Sequence, residues 1–89
     1  MEPTVSIQSV IRQGPMGILV AGNGSPDGAS ISVQIQLTSG GTGMNATQVL
    51  NSQWSTTVPM QSNPGQTGTA TATAISGGSS VRASKDFTL

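Results

Sequence analysis

Only six side chains of this 89-residue chain carry a formal charge: Glu2, Arg12, Asp27, Arg82, Lys85 and Asp86. Histidine and cysteine are absent. Thirteen serines and eleven threonines supply hydroxyls in quantity, but a hydroxyl becomes a nucleophile only beside a base. The Ser-His-Asp arrangement, the Cys nucleophile and the Cys or His zinc site each require a residue type the chain lacks. Glu2, Asp27 and Asp86 are isolated from one another in sequence, with no Asp-x-Asp pair to begin a calcium shell. The expectation is a protein that is not an enzyme, with no cofactor and no metal. Three scattered cations fall short of the roughly six to ten phosphates that a DNA-binding surface neutralises, so no nucleic-acid partner is expected. No basic helix or polybasic tail offers attraction to a membrane, and no membrane insertion is expected.

Other motifs read as local structure before they read as sites. Asn23-Gly24-Ser25 and Asn45-Ala46-Thr47 match the N-glycosylation acceptor, which matters only in a eukaryotic secretory pathway; Asn23-Gly24 reads instead as a tight turn. The glycines at 22, 24 and 28 have the wrong spacing for a dinucleotide fingerprint, and no helix start follows them. Trp54 is either an exposed platform for sugar or a core residue, and its alternation with Thr56 and Val58 favours the core. Lys85 shares parity with Val81, Ala83, Phe87 and Leu89, so either a bulge turns it outward or it guards an edge strand.

The elements that carry these residues are strands. Ser, Thr, Gln, Asn and Gly make up 48 of the 89 residues, against 18 of Leu, Ile, Val and Phe, a composition near that of disordered chains. Net charge is zero and mean hydropathy −0.03, however, and disorder usually combines low hydropathy with high net charge. Ile31-Ser32-Val33-Gln34-Ile35-Gln36-Leu37 then alternates without a break, the period of a half-buried strand. The chain is long enough for one domain, residues 1–89, with a thin core.

Strands are expected from Thr4 to Gln8 and onward to Ile11, from Ile18 to Gly22, from Ala29 to Leu37, around Ala46 to Leu50, from Trp54 to Val58, from Thr67 to Ala74 and from Ser80 to Leu89. Turn formers separate them at 14–17, 23–28, 51–53, 62–65 and 77–78, and Ser39 to Gly43 reads as the most flexible connection. No apolar stripe of helical period survives the Gly and Pro interruptions. About seven short strands predict an all-β, two-sheet antiparallel sandwich, with Val33, Ile35, Trp54, Val58, Ala70, Ala72 and Phe87 between the sheets.

The run from Gly22 to Leu89 resembles the bacterial immunoglobulin-like domains found in tandem on cell-surface adhesins and as appendages on tailed-phage virion proteins. Ser25-Pro26-Asp27-Gly28-Ala29 followed by the alternating strand, Trp54-Ser55-Thr56-Thr57-Val58-Pro59, and Gly65 to Gly78 with Phe87-Thr88-Leu89 carry the likeness. The large aromatic often found early in the sixth strand is missing, with Gln66 and Gly68 near its place. The family shares no catalytic residues, so the resemblance implies a spacer, display or adhesion role.

Parity breaks at Val10-Ile11 and at Ile18-Leu19-Val20 push apolar side chains outward. A docking surface is therefore expected at Val10 or Ile11, Met16 and Leu19. Charged residues are 7% of the chain against about 25% in average soluble proteins, which favours life in an assembly. Met1 with no apolar run behind it reads as a chain without an export leader. The sequence thus points to a phage virion accessory on a capsid or tail protein, located in the virion. The alternative is a module of an adhesin at the bacterial cell surface. Weak self-association and a cell-surface glycan are the further partners considered.

Overall fold

The structure, a computed structural model, describes residues 3–89. Glu2 lies outside the described residues. Seven strands follow one another: β1 (Thr4–Arg12), β2 (Ile18–Ser25), β3 (Ser30–Leu37), β4 (Thr42–Gln48), β5 (Gln53–Val58), β6 (Thr67–Ser76) and β7 (Ser79–Thr88). They form two antiparallel sheets, ordered β1-β2-β5 and β4-β3-β6-β7. This is the expected two-sheet sandwich. The fourth strand pairs with the third, at one edge of the four-stranded sheet.

Alternation builds the core. In β3, Ile31, Val33, Ile35 and Leu37 are buried while Ser32, Gln34 and Gln36 face outward. In β6, Ala70, Ala72 and Ala74 are fully buried and lie opposite Ile35, Val33 and Ile31 of β3. Trp54 and Val58 of β5, Ile18 and Val20 of β2, and Phe87 of β7 complete the cluster. All seven residues expected between the sheets are buried. The place of the missing sixth-strand aromatic is filled by a neighbour: Phe87 stands opposite Gly68 in the register, with its ring tip 2.9 Å from where a β carbon on Gly68 would sit.

Three expectations about boundaries are corrected. Asn23 and Gly24 do not turn the chain; they continue β2 opposite Ser6 and Val5, and the turn begins after Ser25. The fourth strand starts at Thr42, not Ala46, so Gly43 is part of a ladder opposite Ile35. The parity break at Val10 is a β-bulge. Ile7 pairs with Gly22 and Ser9 with Ala21, leaving Gln8 unopposed, and the extra residue rephases the strand so that Val5, Ile7 and Val10 all pack against the core.

Lys85 sits on the inner parity of β7, opposite Ala70, in a register without shifts. Because β7 is an edge strand and Lys85 is exposed, no bulge is needed to free its ammonium. An inward charge at a sheet edge is an obstacle to pairing with another chain.

Candidate functional site

The expected docking surface lies on the β1–β2 hairpin, and the bulge at Gln8 decides which of its side chains face outward. Val10 faces the core opposite Val20; Ile11, the next residue, faces outward opposite Leu19. The expectation of Val10 or Ile11 therefore resolves to Ile11, which is 55% exposed. Leu19 is half-buried on the same outer face, flanked by Ile11 on β1 and Thr57 on β5. Such directly opposed side chains have β carbons about 4.5–5.5 Å apart, so the pair forms one continuous apolar surface. Met16, 66% exposed, stands at the hairpin tip.

That tip is held from several sides. Gln13 N–H donates to Gly17 O at 2.9 Å, closing the loop. Thr57 Oγ1 donates to Gln13 Oε1 at 2.6 Å, fastening it to β5. Ser62, a fully buried polar residue, donates its N–H to Pro15 O at 2.8 Å and its Oγ to Gly14 O at 2.8 Å. Arg12 Nε donates to Ser62 O at 3.3 Å. A loop fixed in this way presents Met16 with little ordering entropy left to lose on binding.

Apart from Arg12, whose guanidinium is turned to Ser62 O beneath the tip, the surroundings carry no charge among the described residues. Outward positions of the three-stranded sheet are Ser6, Ser9, Ile11 on β1, Leu19, Ala21, Asn23 on β2, and Ser55, Thr57 on β5. Arg82 and Asp86 face outward on the other sheet, opposite Thr73 and Thr69. An apolar pair ringed by hydroxyls and amides suits a neutral protein surface, where desolvation removes no charge from water.

The other residues singled out in the sequence find structural work. Asp27 accepts backbone N–H bonds from Asn51 at 3.2 Å and Ser52 at 3.0 Å. Those two residues have φ of 54° and 65° and, with Leu50 and Gln53 exchanging backbone bonds, form the two-residue hairpin turn with both central φ positive. Trp54 is core, and its Nε1 donates to Asn23 O at 2.9 Å. Asn45 Nδ2 donates to Thr57 O at 2.7 Å, joining the two sheets along their β4 and β5 edges. Among the described residues no group of three Asp, Glu, His or Cys gathers.

Sequence reasoning missed three exposed apolar side chains, Met44, Leu50 and Ile75. It also missed an open depression of about 520 Å3 beside β5, lined by Gln8, Gln48, Leu50, Asn51, Gln53 and Ser55 among others. No periodic signal marks Leu50, because it lies in the β4–β5 connection, outside the alternation of either strand.

No family model, no curated protein and no solved structure matches this chain.

Proposed function

We propose that this domain is a non-catalytic immunoglobulin-like virion accessory, a capsid decoration or tail-associated protein of a bacteriophage, which docks on a repeating protein surface. The observation that carries the reading is exposed Ile11 beside half-buried Leu19 on an outer sheet face without charged positions, with exposed Met16 beyond them at the hairpin tip. A lattice engages many copies of such a patch at once, so a modest affinity per site suffices and charged steering is not required. The motif resemblance supplies the class of assembly.

The test substitutes Leu19→Asp. A carboxylate buried without a partner at an interface costs several kcal/mol, about the scale of a whole modest affinity, and little in water. Virions assembled with this variant are expected to lack the domain after sedimentation, while the isolated variant keeps its β-sheet circular dichroism. Retention at wild-type occupancy contradicts the docking face.

One observation supports the adhesin alternative. The molecule measures 38 × 20 × 17 Å, and Thr4, paired to Ser25, lies at the end opposite Leu89, whose carbonyl accepts from Gly65. Copies joined in series would extend as a spacer. In-frame repeats of the same pattern on either side of these 89 residues would select that reading.

A further inference from the structure

Two sheets with open edges leave four edge strands, and three of them carry obstacles to pairing. β1 has its bulge at Gln8, β5 is six residues long and followed by Pro59, and β7 carries Arg82, Lys85 and Asp86. Strand β4, Thr42-Gly43-Met44-Asn45-Ala46-Thr47-Gln48, has no charge, no proline and no register shift. By composition it is the edge open to another strand.

Its backbone polarity follows from the ladder. Leu37 N–H donates to Gly41 O at one end of the β3–β4 pair and Val49 N–H to Ala29 O at the other. With Ile35, Val33 and Ile31 opposite Gly43, Asn45 and Thr47, antiparallel alternation commits the odd-numbered residues of β4 to β3. The N–H and C=O groups of Thr42, Met44, Ala46 and Gln48 therefore point away from the sheet. A second copy of β4 related by a two-fold axis at Asn45 would set Met44 opposite Ala46 of that copy and Thr42 opposite its Gln48. The outward-pointing residues then meet as hydrogen-bonded pairs, no charge opposes another, and exposed Met44 gains a small apolar neighbour.

One side chain stands in the way. Ala46 N–H, a donor this pairing needs, is already bonded to Asn45 Oδ1 at 2.8 Å. The same side chain is held from its other end, where Nδ2 donates to Thr57 O. We infer that β4 is a homodimerisation edge held shut by Asn45, whose carboxamide occupies the central outward N–H, and that releasing Asn45 lets two copies join into one continuous eight-stranded sheet. β4 and the Ile11–Leu19 face belong to different sheets, so this inference stands apart from the docking proposal.

Sedimentation equilibrium of the full chain tests it with Asn45→Ala and with Asn45→Ala combined with Ala46→Pro. Proline removes the outward N–H of residue 46 without touching the β3 ladder. Expected are a monomeric wild type, at least tenfold tighter self-association of Asn45→Ala, and return of the double variant to monomer. A folded Asn45→Ala that associates no more than wild type, a double variant that associates as Asn45→Ala does, or a wild type already dimeric in the same range overturns the inference. Should Asn45→Ala not fold, hydrogen exchange of the wild type decides. The Ala46 amide is expected at least tenfold more protected than the Met44 amide, and equal exchange at the two overturns it.

Discussion

Trp54 packs its indole over Gly22, the residue opposite it across β2 and β5. A β carbon at position 22 would lie 2.9 Å from Trp54 Cζ2 and would collide with the Ser6 carbonyl oxygen behind it. The largest core side chain and the bulge-side strand are thus both seated against a position that admits no side chain. Gly22→Ala must displace backbone, because neither neighbour is the free end of a flexible chain. The expected loss exceeds about 3 kcal/mol, beyond the usual overpacking cost. A urea melt reads it, and a midpoint equal to wild type would contradict this geometry.

The three alanines of β6 are fully buried between the sheets, where residues this small leave the opposing sheet close by. Ala72 has 0% of its surface accessible and lies opposite Val33 on one side and Ala83 on the other. Ala72→Leu adds volume where none is free and is expected to cost roughly 1–3 kcal/mol. The same melt measures it. In contrast, Thr71→Val, on the outer face beside Ser84, is expected to leave the midpoint within about 0.5 kcal/mol of wild type.

Ser62 joins two connections 48 residues apart through Gly14 O. Ser62→Ala leaves that part-buried carbonyl, and Gly17 O at 3.3 Å, without their hydroxyl donor, which costs about 1 kcal/mol. Because Ser62 N–H still reaches Pro15 O, the loop is expected to loosen rather than detach. Amide exchange at Gly17 and Gln13 is expected to accelerate more than exchange in β3. Uniform acceleration across the chain would instead make Ser62 a contributor to global stability only.

How much of this was legible in advance depends on whether a residue's role was local. The alternation from Ile31 to Leu37 gave away β3 because each side chain reports its face by itself. Asn51-Ser52 was legible as a turn for the same reason. Gly43 was not, since a glycine has no side chain to show parity; it belongs to a strand because Val58 and Met60 fill the space above it, each within 3 Å of where its β carbon would sit. Asn23-Gly24 has the composition of a turn, yet Val49 and Trp54 crowd Gly24, and a strand with room for them needs glycine there. The outward apolar side chains of the β1–β2 hairpin were legible from parity alone, but the choice between Val10 and Ile11 needed the bulge, which depends on the pairing of β1 with β2. Ser62, Asn45 and Asp27 act through partners 12 to 48 residues away, and nothing in their neighbourhoods along the chain announces it.

Asp27 acts wholly through residues distant along the chain. Its carboxylate binds two backbone donors of the β4–β5 turn, but the site is exposed, so water replaces much of what is lost. Asp27→Ala is expected to destabilise by about 1 kcal/mol, with Asp27→Asn retaining part of that through its remaining carbonyl oxygen. Equal losses for both would mean that the two oxygens act only together.

Lys85 lies on β7, the other edge of the four-stranded sheet. It faces inward on β7 opposite fully buried Ala70, where an apolar residue would extend the core and leave the outer edge of the sheet unguarded. Lys85→Val is therefore expected to act in two directions at once. Stability in urea should rise, because apolar surface replaces a side chain that must carry its charge back to water. Solubility should fall, because the strand loses the inward charge that opposes pairing with another chain. Light scattering at increasing concentration, read beside the urea midpoint, separates the two. A variant that is more stable and equally soluble would show that Arg82 and Asp86, outward on the same strand, guard the edge without Lys85. A variant that is less stable would show that the lysine stem, not its charge, is what the core uses.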